Sequence, residues 1–318
     1  APFDKYYNGV ADFKIQLLPS AGDSDPNVVT RAKSGNLDYG YTKMVADVQA
    51  LEGTPGITVT PIDVRYTRLF YLNKFDKKDG SPAPLADVRV RQALRYAIDM
   101  ETICETLFQG SAVPANALAP DANLKGGDLN DYNYNPEKAK ELLAEANWDP
   151  NTVIKAVYYY TDQATVDLMT AVQAYLADVG IKMEFELVEG DLATILWTAP
   201  ADQTNGPRAV DWDICYAANA ALSLHEYYDR YRTGSPTNSH TPEDAELNRL
   251  IDATNASADV NAQNEAFKEL IKYENENLFT MALYYQPIFL ITSDKIGDIQ
   301  KGTPQFCINW GIQNWNVQ

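Results

Sequence analysis

Residues 153–188 limit the possible folds of this chain more than any other segment, because their hydrophobic period changes twice. Val153 to Tyr160 is a mostly apolar run that predicts a strand. A helix follows and ends at Gly180, and its apolar side carries Leu168, Val172, Leu176 and Val179. Residues 181–187 then alternate between apolar and charged, as a half-buried strand does. Since such crossovers are right-handed and join parallel strands, the segment predicts an α/β fold.

Residues 12–40 predict a second strand–helix–strand unit. Phe13, Ile15 and Leu17 alternate with polar neighbours, and Asp25-Pro26 has the residue types that begin a helix. Gly35 supplies the stop, and a short strand resumes at residues 37–39. More than a hundred residues separate the two units, so we expect two α/β lobes with a small ligand in the cleft between them.

The rest of the chain supplies further elements and two irregular stretches. Residues 57–73 look extended, residues 74–86 are a polar crossover, and residues 110–134 form a loop long enough to be functional or to wrap the surface. Helices are predicted from the apolar face around Val90, after the Asn135-Pro136 cap, and near residues 243–255 and 261–278. Pro287 within the apolar run 281–292 predicts a bulge, a sheet edge or a change of sheet.

The charge of the chain excludes several classes of partner. There are 26 basic and 44 acidic residues, a net charge of −18, which opposes binding to nucleic acid and to anionic membrane surfaces. No run of 18 apolar residues exists, so no membrane-spanning helix is predicted. Residues 1–4 lack a basic and apolar leader, and we expect that any export signal has been removed or was never part of this chain.

Cysteine and histidine usage gives no catalytic or metal-binding pattern. Cys104, Cys215 and Cys307 are far apart in sequence, which predicts buried free thiols and no zinc site. HExxH, GxSxG, GxxxxGK[ST] and GxGxxG are all absent. A partial calcium-loop pattern begins at Asp121, but Lys125 occupies a ligand position and a cation does not coordinate calcium. We therefore expect no enzyme activity, no cofactor and no metal.

Two long motifs carry a resemblance to a known family. Residues 87–99, Asp-Val-Arg-Val-Arg-Gln-Ala-Leu-Arg-Tyr-Ala-Ile-Asp, and residues 134–148, which begin Tyr-Asn-Pro-Glu-Lys-Ala, resemble signatures of the family 5 solute-binding proteins. These proteins are the peptide, dipeptide and nickel receptors of ABC importers. Shorter landmarks follow the family's order, at Tyr6-Tyr7-Asn8-Gly9, Ser34-Gly35-Asn36-Leu37-Asp38, Phe70-Tyr71-Leu72-Asn73, Trp212-Asp213 and Ala282-Leu283-Tyr284-Tyr285.

The resemblance implies both a fold and an organisation into domains. The implied fold class is α/β, with periplasmic-binding-protein-like lobes of type II, cluster C. Family members are longer, so the chain is expected to be a C-terminal fragment with domain III and an incomplete domain I. Residues 1–76 and 284–318 would be the remainder of domain I, without its N-terminal part and without domain II. Residues 77–283 would be domain III, with Arg91 and Arg95 making structural ion pairs or interdomain contacts.

The resemblance also implies a function outside the cytoplasm. The chain would belong to the substrate-binding component of an ABC importer, which captures an oligopeptide or another small solute in an interlobe cleft and delivers it to the permease subunits. It would be a monomer at the cell surface or in the periplasm, anchored by a lipid on the missing N-terminus. Two other functions remain open: a secreted glycoside hydrolase using paired carboxylates, and a ligand-sensing or chaperone-like protein on the same fold.

The predicted ligand-binding residues follow from where the family binds its solute, between domains I and III. In peptide-binding members an Asp soon after the Trp-Asp landmark holds the peptide's amino group, but here no carboxylate occurs between Asp213 and Glu226. Asn219 and Tyr216 occupy that stretch and would suit a neutral ligand, or they belong to a core strand. The other candidates are Tyr41, Thr42 and Trp197. Tyr41 and Thr42 follow a predicted strand, and they either contact the ligand or lie in an exposed loop. Trp197 is either a platform on which a ring of the ligand stacks or a core residue.

Overall fold

The computed structural model of the 318-residue chain describes residues 16, 27–62, 66–120, 124, 129–220, 224–297 and 316–317. The chain divides into two compact units. Unit 1 comprises residues 1–65 and 286–318, and unit 2 comprises residues 66–285. The predicted strand near Phe13, the Asp25-Pro26 helix start and Cys307 lie outside the described residues.

Unit 1 contains a three-stranded antiparallel sheet with two short helices. Its elements are α1 (Val28–Lys33), β1 (Tyr39–Thr42), α2 (Val45–Leu51), β2 (Ile57–Ile62) and β9 (Ile288–Ser293), with a small ladder of β10 (Ile296–Gly297) and β11 (Asn316–Val317). The sheet order is β1-β9-β2. Val28, Ala32, Leu51 and Ile291 form its buried core. Gly35 follows α1 with a φ of +72°, a conformation that glycine adopts without strain, so the predicted helix stop is confirmed.

Unit 2 contains a six-stranded mixed sheet in the order β4-β8-β3-β7-β5-β6. Its strands are β3 (Tyr66–Leu72), β4 (Val113–Pro114), β5 (Val153–Tyr158), β6 (Lys182–Leu187), β7 (Ile214–Ala220) and β8 (Thr280–Tyr285). β5 is parallel to β6 and to β7, while β3 is antiparallel to both of its neighbours. The parallel unit predicted at residues 153–188 is therefore confirmed.

Helices cover both faces of this sheet. They are α3 (Val88–Ala97), α4 (Met100–Thr106), α5 (Pro136–Glu145), α6 (Gln163–Asp178), α7 (Leu192–Trp197), α8 (Leu224–Tyr228), α9 (Ala245–Ala253) and α10 (Val260–Asn277). One core lies on the side of α3 to α6 and contains Phe70, Leu72 and Tyr216. The other lies on the side of α7 to α10 and contains Leu69, Tyr71 and Cys215. Because both faces are covered, residues 67–72 of β3 are all buried.

Side-chain caps mark the starts of α5 and α6, and the predicted start of α5 is confirmed. The Asn135 side chain accepts a hydrogen bond from Lys138 N at 2.9 Å, and Pro136 is the first residue of α5. Asp162 caps α6 by accepting from Thr165 N at 2.9 Å. Each side chain pairs one of the backbone N–H groups that a helix leaves without an internal partner. These caps fix where the helices begin and so where the neighbouring strands end.

The predicted long strand at residues 281–292 is two strands, β8 and β9, which belong to different sheets. They are separated by Gln286 and Pro287, and the chain passes from unit 2 to unit 1 at this point. Proline has no N–H group for a sheet ladder, so it interrupts pairing. The predicted change of sheet at Pro287 is confirmed.

Arg91 and Arg95 are predicted to make ion pairs or interdomain contacts, and among the described residues neither of them forms an ion pair. Both side chains are almost fully buried, and their guanidinium groups donate to backbone carbonyls. Arg91 reaches Leu85 O, Ala86 O and Asn277 O at 2.7 to 3.0 Å. Arg95 reaches Tyr132 O and Ala115 O at 3.2 and 3.3 Å. A guanidinium has five N–H donors in a planar fork, so it can satisfy several carbonyls that regular structure leaves without donors.

In its described part, the long loop predicted at residues 110–134 contains the short strand β4, and polar side chains of neighbouring elements hold this part in place. Asn275 accepts from Asn130 N at 2.8 Å and donates to Asn116 O at 2.7 Å. Thr67 donates to Leu118 O at 2.7 Å, and Tyr285 donates to Ala117 O at 2.7 Å. The loop therefore packs against the sheet near the start of β3 and the end of β8.

Candidate functional site

One edge of the six-stranded sheet gathers polar and aromatic side chains. The parallel strands β5 and β7 end at this edge. Because β3 is antiparallel to both β7 and β8, β3 begins at the same edge and β8 ends there. Arg68 is therefore in register with Ala218 on one side and Tyr284 on the other. The carboxyl ends of strands are the favoured position for ligands in α/β sheets. We call Arg68, Tyr160, Tyr216 and Tyr284 the tyrosine cluster.

Short contacts connect the members of the tyrosine cluster. The guanidinium carbon of Arg68 lies 4.2 Å from the ring centroid of Tyr160 and 5.9 Å from that of Tyr216. The hydroxyl oxygens of Tyr216 and Tyr284 lie 2.7 Å apart. The edge of the Tyr160 ring meets Tyr216, with the centroids 5.7 Å apart. Cation–π contacts of this length stabilise a cation where little water reaches it.

Burial keeps the hydroxyl groups of Tyr216 and Tyr284 neutral. It raises the pKa of Tyr216 and of Tyr284 well above the usual value for tyrosine, and the Arg68 cation opposes the rise in both cases. A neutral phenol can both donate and accept a hydrogen bond. The cluster therefore combines neutral hydroxyl groups with one positive charge, but Arg68, Tyr216 and Tyr284 are all buried and the hydroxyls of the two tyrosines already bond to each other.

A second group lies on the opposite face of the sheet. The Trp197 ring meets Tyr71 edge-on at a centroid distance of 4.9 Å, and the guanidinium carbon of Arg230 lies 4.3 Å from the Trp197 centroid. Asn219 is on this face as well, and its side-chain amide donates to Tyr227 O of α8 at 3.2 Å. We call Tyr71, Trp197 and Arg230 the Trp197 stack.

The predicted site residues of unit 2 do not form one constellation. Tyr216 faces α3 to α6, while Trp197 packs on the side of α7 to α10. Asn219 is in register with Thr67, which places it on the Trp197 side at the same edge of the sheet. Tyr216 is fully buried and Asn219 is half-buried, so of the two Asn219 is the more accessible.

Tyr41 and Thr42 lie in unit 1, at the end of β1. Thr42 is buried, donates to the Asp47 carboxylate at 2.6 Å and accepts from Met44 N at 3.0 Å, so its hydroxyl supports the start of α2. Tyr41 is half-buried and is in register with Leu290 of β9. A ligand-binding role for the five predicted residues stays a prediction.

Sequence reasoning missed Arg68, Tyr160, Tyr284 and Arg230. The three-tyrosine run at residues 158–160 and a cation in an otherwise extended, apolar stretch were the available signals for Tyr160 and Arg68. Strand order decides that these residues meet, and strand order is not visible in the sequence. Arg230 has no local signal at all, because its partner Trp197 is more than thirty residues away along the chain.

Two buried ionisable groups lie away from the tyrosine cluster. His240 is fully buried against Tyr71 and Tyr231, and desolvation lowers its pKa well below the usual value, so the ring is neutral. Burial raises the pKa of Glu274 to about 8, although backbone N–H groups of Thr280 and Leu118 oppose the rise. Within the described ranges, no group of three or more His, Cys, Asp or Glu side chains is arranged to hold a metal ion.

None of the helices in the described part of the chain is both long and apolar enough to cross a membrane.

The class of protein is defined by comparison with known families. The family described as "Bacterial extracellular solute-binding proteins, family 5 Middle" matches residues 3–241, about three quarters of the chain. The chain belongs to this family, as the motifs at residues 87–99 and 134–148 predict. This membership favours the solute-binding prediction over a glycoside hydrolase or a sensing protein.

Individual relatives match parts of the chain. A putative ABC transporter peptide-binding protein of Brucella ovis is 37% identical over 100 residues, which cover 30% of this chain and 19% of that protein. Heme-binding protein A of Haemophilus influenzae is 35% identical over 130 residues, 40% of this chain and 22% of that protein. The dipeptide-binding protein of Escherichia coli is 48% identical over 64 residues, 20% of this chain and 12% of that protein.

Solved structures show the same fold at low identity. The oligopeptide-binding protein AppA of Bacillus subtilis, in complex with a nonapeptide, has a TM-score of 0.74 and 17% identity over 91% of this chain. NikZ of Campylobacter jejuni, in complex with Ni(L-His), has a TM-score of 0.71 and 17% identity over 90% of this chain. The matches cover 58% and 59% of those chains, so this chain spans less than two thirds of their length. The predicted periplasmic-binding-protein-like α/β fold is confirmed.

Proposed function

We propose that the protein containing this chain is the solute-binding component of an ABC importer. Family membership over residues 3–241 is the observation that supports the proposal most strongly. The complete protein captures a solute outside the cytoplasm and delivers it to permease subunits, without catalysing a reaction. Closure of its lobes around the solute is the movement by which binding proteins of this kind enclose a ligand.

A small polar solute or a short peptide is the proposed ligand. Named relatives include peptide-binding, dipeptide-binding and heme-binding proteins, so the class of ligand varies among similar chains. The stretch between Asp213 and Glu226 contains no carboxylate to hold a peptide's amino group. The tyrosine cluster instead offers the Arg68 cation and neutral hydroxyl groups, which pair with carbonyl or carboxylate oxygens.

The remaining parts of the proposal follow the family resemblance. Domain III is residues 77–283, which lie within unit 2, and the remainder of domain I is residues 1–76 and 284–318, which contain unit 1. The complete protein acts as a monomer at the cell surface or in the periplasm, and a lipid on its N-terminal region anchors it.

Uptake by cells that lack the full gene tests this function. Deletion is expected to abolish import of at least one labelled solute from a panel of peptides, amino acids and sugars, and the complete gene is expected to restore it. An Arg68→Gln gene should restore uptake poorly, whereas Lys138→Gln, which removes an exposed pair with Glu141, should restore it fully. Unchanged uptake of every solute after deletion would exclude the proposed function.

The chain by itself should bind its solute more weakly than the complete protein does. It spans less than two thirds of the solved relatives, so part of any ligand enclosure is missing. Calorimetry with the solute identified by uptake should therefore give a larger dissociation constant for the chain than for the complete protein. Equal affinity of the two would show that residues 1–318 already hold every important contact.

A further inference from the structure

His240 lies in a buried segment of unit 2, between α8 and α9. Residues 238–241 are all almost fully buried, although none of them belongs to a helix or a strand. Lys74 N, just beyond β3, donates to His240 O at 2.9 Å. Ser239 Oγ donates to Leu196 O of α7 at 2.7 Å. We call residues 238–241 the His240 segment, and these two bonds fasten it to the end of β3 and to α7.

Aromatic rings enclose the side chain of His240. Tyr71 and Tyr231 meet it edge-on, with centroid distances of 4.9 and 5.1 Å, and the Trp212 ring lies 6.4 Å away. Among the described residues, neither ring nitrogen of His240 has a hydrogen-bond partner. A protonated imidazole carries two N–H donors, and here both would be buried without an acceptor. The surroundings therefore fit the uncharged ring.

The basic and phenolic groups that face His240 also favour the uncharged ring. Desolvation lowers the pKa of His240 most, and the basic side chains of Lys74 and Arg230 lower it further. Tyr71 and Tyr231 supply no negative charge, because burial raises the pKa of both hydroxyls and keeps them neutral. A second proton on the ring would thus meet repulsion and no compensating charge from these neighbours.

Asp213 and Glu274 are the two buried carboxyl groups among the described residues. Both oxygens of Asp213 are already occupied, by Arg208 Nη1 at 2.8 Å and by Lys155 N at 2.9 Å. Burial raises the pKa of Glu274 to about 8, so this side chain is mostly protonated at neutral pH. Neither acid therefore supplies a counterion for His240. Protonation would leave an unpaired buried charge, and exposure of the ring to water removes that cost.

We propose that His240 is an acid-sensitive latch: when the surroundings become acidic, the His240 segment leaves the sheet and its histidine ring enters water. The closed form is fully favoured above about pH 6.5, the value for an exposed histidine, and loses this advantage progressively below it. Opening breaks the bonds to Lys74 N and Leu196 O, so it also loosens α7, the helix that carries Trp197. The inference concerns unit 2 alone and does not depend on the proposed transport function.

Amide hydrogen exchange of the 318-residue chain, followed by NMR from about pH 7.5 to about pH 4.5, tests the latch. Rates are compared with those of His240→Phe, which keeps an aromatic ring that takes up no proton, so the direct effect of pH on exchange cancels. At the Lys74 and Thr241 amides, which bond to the segment, the ratio of the unchanged chain to the variant should rise about tenfold for each pH unit below about 6.5. At the Ile181 amide, beyond the end of α6, the ratio should stay constant.

His225→Gln is the matched control, because His225 is the other histidine of the chain. It is half-buried on α8, and its Nδ1 lies 3.2 Å from Thr254 Oγ1. This variant should keep the acid-dependent rise at Lys74. A constant ratio at Lys74 would overturn the proposal. An equal rise at Ile181 would overturn it as well, because His240 would then reach water only when the whole unit unfolds.

The histidine ring signal gives a second measurement that does not need His240→Phe to fold. In the His225→Gln chain His240 is the one remaining histidine, so NMR assigns its ring directly. The ring should stay neutral while the Lys74 amide is protected from exchange, and it should take up a proton as that protection is lost. A ring that becomes protonated while the Lys74 amide remains protected would overturn the proposal.

Discussion

The hydroxyl oxygens of Tyr216 and Tyr284 lie 2.7 Å apart in a buried pair that spans the central strand β3. Tyr216 belongs to β7 and Tyr284 to β8, and neither strand contacts the other in the sheet. The pair therefore connects the two neighbours of β3 by a hydrogen bond between side chains. Each hydroxyl is the hydrogen-bond partner of the other, so removing one leaves the second buried without it.

Phenylalanine substitutions test the importance of this pair. Tyr216→Phe and Tyr284→Phe should each lower the free energy of unfolding by about 1 to 3 kcal/mol, the cost of an unsatisfied buried hydroxyl. The double variant should cost less than the sum of the two, because it leaves no orphaned group. Urea denaturation of the four proteins measures this coupling. Strictly additive effects would show that the two hydroxyls do not depend on each other.

The buried ion pair between Arg208 and Asp213 should be far more sensitive to substitution than an exposed one. Arg208 donates to the Asp213 carboxylate at 2.8 Å, and their side chains are only 4% and 2% exposed. Asp213→Asn leaves a buried cation without its counterion, so we expect a loss of about 3 to 5 kcal/mol in the free energy of unfolding.

Lys138→Gln supplies the contrast for Asp213→Asn. Lys138 pairs with Glu141 at 2.8 Å, but both side chains are exposed to water, so the change should stay within about 0.5 kcal/mol. Urea denaturation measures both variants under the same conditions. Similar losses in the two proteins would contradict the role assigned to burial.

The sequence predicted the parts of the fold that depend on neighbouring residues. The change of hydrophobic period across residues 153–188 was enough to predict β5, α6 and β6. Asn135-Pro136 was enough to predict where α5 starts. Pro287 marked the change of sheet because a missing N–H group acts at its own position in the chain. Each of these signals is contained within a few residues.

The candidate site depends on contacts between distant residues and was predicted only in part. Tyr216 and Trp197 were both proposed as ligand residues, but they pack on opposite sides of one sheet. Alternation along β7 separates its two faces, but it does not say which helices cover each face. Arg68 meets Tyr160 only because β7 lies between β3 and β5, an order that local periodicity does not contain.

Burial should make Cys104 and Cys215 unreactive in the folded protein. It raises the pKa of Cys104 to about 12 and that of Cys215 still further, so neither thiol is ionised near neutral pH. Because the thiolate is the reactive form, iodoacetamide at about pH 8 should leave both residues unmodified in native protein and should alkylate both in denaturant. Peptide mapping by mass spectrometry distinguishes the sites. Rapid alkylation of either residue in native protein would contradict their burial.

Glu274 should make the protein less stable as the pH rises into the alkaline range. Its carboxyl group is buried at the end of α10, and desolvation raises its pKa from 4.5 to about 8. The folded protein therefore holds this proton more tightly than the unfolded chain does. The resulting stabilisation is complete below about pH 4.5 and is lost as the pH rises through about 8.

Glu274→Gln should remove this dependence, since the amide does not ionise. The difference in free energy of unfolding between the variant and the unchanged chain should move in favour of the variant by about 2 to 4 kcal/mol from about pH 5 to about pH 9. Comparing the two proteins at each pH cancels the contribution of His240, whose lowered pKa acts in the opposite direction. Urea denaturation at four pH values measures the difference, and a constant difference across this range would show that Glu274 does not titrate there.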